Sequence, residues 1–226
     1  MKIEIIPAVL PKDFFELKDK LELIKDVAKT AQIDVCDGQF VPTATWPYKR
    51  QDDSYEKILR EEDGLPGWEK LLFEIDLMVN YPERIVEEWV TAGATRIIIH
   101  VEAKGDVAEA IRILKDRVEI GLALGMQTPI EAIVPYIGDI ASVQLMGIDN
   151  IGLQGQAFDI KVVDKVRAIR AAYPDLMISV DGGVSLETAA LLVEAGVNRL
   201  VVGSAIFNSD NPIEAVAKFK KLNRQD

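Results

Sequence analysis

One cysteine and one histidine are all that the 226 residues contain of either type. The lone cysteine, Cys36, excludes an intrachain disulfide, which suits a reducing, cytoplasmic setting. The lone histidine, His100, cannot by itself complete a His-based metal site. Basic residues are outnumbered, 26 against 37 acidic, for a net charge of −11. That excludes the basic footprint of a nucleic-acid partner and argues equally against an anionic membrane surface. No run approaches the ~18 apolar residues of a membrane span, and MKIEIIPAVLPKDFF has no stretch resembling a signal peptide. The G-x-G-x-x-G fingerprint of an open doubly wound sheet is also missing, because the first apolar run leads into PAVLPKDF.

What is present is a strict alternation. Apolar runs predict strands at Ile3–Val9, Ala31–Cys36, Leu72–Met78, Thr95–Val101, Val118–Leu124, Ile140–Met146, Leu176–Val180 and Arg199–Val202. RIIIHV and RLVVG are continuous rather than alternating, as strands buried on both faces are. Between them, apolar residues recur at helical spacing, as in Phe14, Leu17, Leu21 and Ile24, or Ile130, Ile133 and Ile137. Ser185 and Asn211-Pro212 open helices, and Gly93 and Gly196 close them. Eight β/α units predict a closed parallel (β/α)8 TIM barrel, α/β in class, formed as a single domain over residues 1–226. The irregular part is the extended strand 2–strand 3 connection, residues 38–71, which carries Trp46, Tyr48 and Trp68. On the catalytic face of a barrel it would be a lid, with Trp46 and Tyr48 near the ligand.

Candidate chemistry gathers at strand ends. Aspartate is disfavoured inside strands, yet QIDVCDG, EIDLM and SVDGG place Asp34, Asp76 and Asp181 there. All three should point inward at the top of the barrel. Gly182-Gly183 and Gly203-Ser204 follow strands 7 and 8, where barrels hold phosphate on backbone N–H groups. Tight turns that need glycine are the plain alternative. Asp37 is read as a turn cap and Cys36 as core.

Over nearly its full length the chain resembles ribulose-phosphate 3-epimerases. IDVCDGQFVP, DLMVNYPER, AGATRIIIHVEA, VDGGV and VGSAIF match that family's motifs in order, and LMGIDNIGLQGQ is similar to its Gly-Phe-Gly-Gly-Gln loop after strand 6. The resemblance implies a phosphosugar epimerase in which Asp34 and Asp181 serve as the acid/base pair. It implies that Gly152, Gly155, Gly182, Gly183, Gly203 and Ser204 surround the phosphate, with Met78 and Met146 near the substrate. It also implies a metal held by two aspartates and two histidines. Both histidines are replaced, by Gln32 and Asp76, and the family's early serine is Ala8.

Three carboxylates side by side need a compensating charge. One reading is an oxygen-ligand site of Asp34, Asp76, Asp181 and Gln32, taking Mg²⁺ or Mn²⁺ ahead of Zn²⁺ or Fe²⁺. A second is no metal, with Lys49 or Arg50 swinging in as a fixed cation. A third keeps one aspartate protonated. The expected partner is a phosphorylated small molecule, and a homo-oligomer is compatible. A phosphosugar lyase or decarboxylase is the alternative activity, but the Asp-x-Lys-x-x-Asp strand of such enzymes has no lysine counterpart between Asp34 and Asp37. A non-catalytic phospholigand-binding protein would have no use for both aspartates.

Overall fold

A computed structural model of the chain describes residues 3–49 and 52–224. Eight parallel strands close into a barrel in sequence order: β1 (Glu4–Val9), β2 (Thr30–Cys36), β3 (Leu72–Met78), β4 (Ala94–His100), β5 (Glu119–Leu124), β6 (Ser142–Met146), β7 (Met177–Asp181) and β8 (Arg199–Val202). β8 pairs back onto β1, Ile5 opposite Leu200, and closes the ring. The predicted strands are all present, with ends moved by one or two residues.

Alternation along each strand sorts the core into two shells. In β2, Ala31, Ile33 and Val35 face outward into the layer between sheet and helices, while Gln32 and Asp34 face in. Leu17, Leu21 and Ile24 of α1 (Phe14–Ile24) fill that outer layer. So do buried residues of α4 (Val107–Leu114), α5 (Lys161–Ala172), α6 (Leu186–Ala195) and α8 (Pro212–Lys220). Ser185 caps α6 with a reciprocal bond to Thr188, Gly196 ends it at φ 104°, and Asn211 caps α8 ahead of Pro212.

The barrel's lower end is sealed by charge. Arg96 pairs with the fully buried Glu74 and donates to Glu119 at 2.8 Å, and Thr30 donates to Glu4 at 2.7 Å. A ligand therefore enters from the C-terminal end of the strands.

Two local expectations are corrected. Ile130–Tyr136 is a 3-10 helix rather than an α-helix, because Pro135 lies inside it and has no N–H to donate. The long connection is not structureless: it contains α2 (Ser54–Leu59) and ends on buried Leu65 and Leu71. α3 (Val86–Thr91), following a 3-10 turn at Pro82–Arg84, packs beside it. Among the described residues no helix is long and apolar enough to cross a membrane.

Candidate active site

The upper mouth of the barrel holds an open cleft of about 520 Å³. Asp34 and Asp181 line it, and carboxylate oxygens of Asp34, Asp76 and Asp181 all lie within 4.8 Å of one another. The register explains this, since Asp34 stands directly opposite Asp76 on the neighbouring strand and Asp181 ends β7. Asp76 is fully buried, one step below the cleft floor.

Gln32 joins the cluster together. Its Nε2 donates to Asp34 Oδ1 at 2.7 Å and to Asp181 Oδ2 at 3.0 Å. Asp76 is held from the other side, where Gln144 Nε2 donates to its Oδ2 at 2.9 Å and His100 Nε2 stands 3.2 Å from its Oδ1. Burial, then repulsion from Asp181 and Asp76, pushes the Asp34 carboxyl well above the usual range. Burial and Asp76 raise Asp181 to about 7, against the opposing hydrogen bond from Gln32. Burial would lower His100, but Asp76 outweighs it and lifts the imidazole to about 9.

The glycine turns stand beside this cluster. Gly182, Gly183, Gly203 and Ser204 line the cleft along with Gly152 and Gly155 from the loop after β6, and Met78 and Met146 form part of its wall. The glycines also have packing reasons to be glycine. A side chain on Gly183 (φ 68°) would begin 2.7 Å from the Phe158 backbone, and one on Gly152 would strike Val41. These contacts press the β6 and β7 loops together and leave their backbones facing the cleft.

Trp46 and Tyr48 do not reach the ligand space. Trp46 is fully buried against Phe14, Tyr55 and Trp89, with ring centroids 5.4, 5.5 and 5.9 Å away, and its indole N–H donates to Ser54 at 3.0 Å. Its backbone N–H donates to Pro11 at 2.9 Å. The aromatic residue is thus an anchor of the connection on the helical shell, and a wide apolar surface packs there better than it would over a polar cleft. The part of the connection that does approach the site is its first turn. Asp37 Oδ1 accepts from Gln39 and Phe40 N–H at 2.7 and 2.8 Å. That turn sets Phe40 over the His100 ring at 5.1 Å and Val41 beside Cys36 and Met78. Cys36 is core, fully buried, its Sγ 3.8 Å from Met78 Sδ.

Lys49 is likewise misplaced as a substitute cation: it is exposed and not part of the cleft wall, and Arg50 lies outside the described residues. The positive charge beside the carboxylates comes from His100 instead. Sequence reasoning misses both Gln144 and the His100–Asp76 pairing. A glutamine in SVQLM, alternating in register with Met146, is the available signal for the first.

The residues present fit a divalent metal of the oxygen-preferring kind. Three carboxylates converge, and Gln32 Oε1 is buried without a hydrogen-bond partner among the described residues. A half-turn of that carboxamide exchanges donor for acceptor. Oxygen donors alone suit Mg²⁺ or Mn²⁺ better than softer ions.

Comparison with known proteins agrees with this geometry. A family model described as the ribulose-phosphate 3 epimerase family matches residues 4–207. The chain is 32% identical to ribulose-phosphate 3-epimerase of Schizosaccharomyces pombe over 222 residues, covering 96% of this chain and 92% of that protein. It is 32% identical to the Bacillus subtilis ribulose-phosphate 3-epimerase over 228 residues, covering 96% and 98%. In three dimensions it is similar to KGPDC from Streptococcus mutans, solved in complex with ribose-5-phosphate, with a TM-score of 0.74 at 15% identity over 100% of this chain and 99% of that one. 3-Hexulose-6-phosphate synthase from Salmonella typhimurium superposes with a TM-score of 0.71 at 14% identity over 99% of each chain. Identities that low speak for the barrel alone, whereas the sequence match carries more: the chain belongs to the ribulose-phosphate 3-epimerase family.

Proposed function

We propose that the chain, a phosphosugar epimerase by family, inverts the carbon beside the ketone of a ketose phosphate, with Asp34 and Asp181 as the two proton-transferring groups. The observation that carries this reading is the Gln32 carboxamide, which donates to both carboxylates at once, 2.7 and 3.0 Å away. It fixes two acids around one space, as removal of a proton from one face and its return to the other require. Burial raises both carboxyls, Asp181 to about 7, so a proton can rest on either group near neutral pH. The glycine turns after β7 and β8 offer backbone N–H groups to the phosphate and so set which carbon lies between the aspartates.

A hard divalent cation held by Asp34, Asp76, Asp181 and Gln32 would supply positive charge to the ketone oxygen. We favour Mg²⁺ or Mn²⁺ in that place. The residues themselves shield the reacting carbon from water with Met78, Met146 and Ile148, which line the same cleft.

The test is solvent exchange. In deuterated water, the protein with a ketopentose phosphate should place deuterium at the carbon next to the ketone. Asp34→Asn and Asp181→Asn should each lower turnover by about 10²–10⁴-fold with the fold intact by circular dichroism. Metal analysis of the purified protein, and reactivation after chelation, identify the ion. Full turnover in either asparagine variant, or stoichiometric zinc on these carboxylates, would overturn the respective part.

A further inference from the structure

In the closed barrel the strands run β7, β8, β1, β2 around the mouth. A ligand with its phosphate at the β7 and β8 turns and its reacting carbon between Asp34 and Asp181 must lay the intervening carbons over β8 and β1. That stretch of wall is poor in polar side chains. β1 and the residue after it contribute Ala8 and Leu10, and β8 contributes Val201 ahead of Gly203. A hydroxylated carbon placed there would lose its bonds to water and meet methyl groups, a cost unless something replaces them.

Gln154 is what stands there. It comes from the loop after β6, is partly buried, lines the cleft, and sends its Nε2 to within 3.5 Å of the Ala8 carbonyl oxygen. The small residues beneath it make the slot. A side chain on Gly203 would begin 2.8 Å from Gln154 Nε2 and 3.3 Å from the Ala8 oxygen, so anything larger than glycine would displace the carboxamide. Gly203 has a negative φ of −94°, so room for Gln154, rather than backbone conformation, is what calls for glycine here. A carboxamide offers two donor hydrogens and an accepting oxygen, and Ala8 takes at most one donor.

We propose that Gln154 is a specificity-determining residue: its carboxamide hydrogen-bonds the substrate hydroxyl between the reacting carbon and the phosphate. This rests on the functional reading above, because it needs the phosphate and the reacting carbon at those two places. Its consequence is a preference for polyhydroxylated phosphates over otherwise identical ones that lack this hydroxyl. A site built around such a bond rejects the deoxy compound because its own polar group is then left unpaired.

The experiment compares a ketopentose phosphate with its 4-deoxy analogue, in the wild type and in Gln154→Leu, which keeps bulk and removes the amide. The wild type should favour the hydroxylated compound by about 10-fold or more in kcat/KM. Gln154→Leu should lose that preference, through a fall on the hydroxylated substrate and a change of less than about twofold on the analogue. Inhibition by inorganic phosphate should stay the same, since the glycine turns are untouched. Equal losses on both compounds, leaving the ratio as it was, would overturn the proposal. So would a parallel weakening of phosphate inhibition, which would make Gln154 part of the phosphate cradle. The same comparison by calorimetry, with the non-reacting 4-hydroxy and 4-deoxy pentitol phosphates, reads the ratio without turnover. A wild type that turns over no ketose phosphate would therefore sink the epimerase reading, while the calorimetric ratio still decides Gln154.

Discussion

Replacing Trp46 by alanine should weaken the fold and leave substrate binding alone. Trp46 is fully buried and touches three aromatic rings at centroid distances of 5.4–5.9 Å. Removing a large aromatic from such a place costs about 3–5 kcal/mol. The lost ring pairs and the lost indole bond to Ser54 put this site in the upper part of that range, near 4 kcal/mol. For a chain of this size each kcal/mol moves the melting temperature by about 2–4 °C, so a fall of about 8–16 °C is expected. Trp46→Phe keeps a ring in the pocket, gives up the indole N–H, and should lose about 1–2 kcal/mol. Differential scanning calorimetry, with KM measured at a temperature where every variant is folded, makes the test. The anchor argument requires a large drop in melting temperature at constant KM. A melting temperature within about 2 °C of wild type together with a raised KM would refute it and restore the lid.

In chelator-treated protein, stability should decline as pH rises from 5.5 to 9. Asp181 is raised from 3.8 to about 7 and His100 from 6.5 to about 9. A raised folded-state value gives stability that is present below the unfolded value and lost as pH climbs through the folded one. Urea midpoints should fall across both windows, and Asp181→Asn should flatten the lower one; a midpoint that rises over this range contradicts the assignment. At the other end of the barrel, Arg96→Ala strands the fully buried Glu74 and should cost about 3–5 kcal/mol in urea unfolding, whereas the double change Arg96→Met with Glu74→Leu should cost far less. A single variant no worse than the double would show that the pair is not held by charge.

The barrel was readable because its strands are buried on both faces. RIIIHV has an outer face packed on helices and an inner face closed by the ring, and a continuous apolar run is what that environment demands. The aspartates were readable for the opposite reason, since a carboxylate inside such a run must have a purpose. What stayed hidden depends on side-chain direction and on closure. Gln144 and Asp76 are 68 residues apart and meet only across the barrel. Trp46 signals burial but not the face against which it is buried, and the aromatic shell it joins is assembled from α1, α2 and α3, distant in sequence. Gln154 sits among loop glycines, and nothing in IGLQGQ shows that its carboxamide crosses to Ala8.

The departures from the family pattern make sense as one change in charge. The resemblance implies two aspartates and two neutral histidines around the metal, a donor set of charge −2. Here Gln32 replaces one neutral ligand by another, but Asp76 replaces the second by an anion, taking three ionised carboxylates to −3 within a 4.8 Å cluster. An extra buried charge of that kind is costly unless something neutralises it. The group that answers it is already in the shared segment IIIHVEA: His100, fully buried, stands 3.2 Å from Asp76 and is lifted to about 9, so it carries a proton at neutral pH. Asp76 with His100⁺ together count as neutral, and the cluster returns to −2. Gln144 then satisfies the remaining Asp76 oxygen at 2.9 Å, which ties the new carboxylate to the floor of the site. Asp34 and Asp181 are left, as in the resembling family, as the two carboxylates that face the cleft.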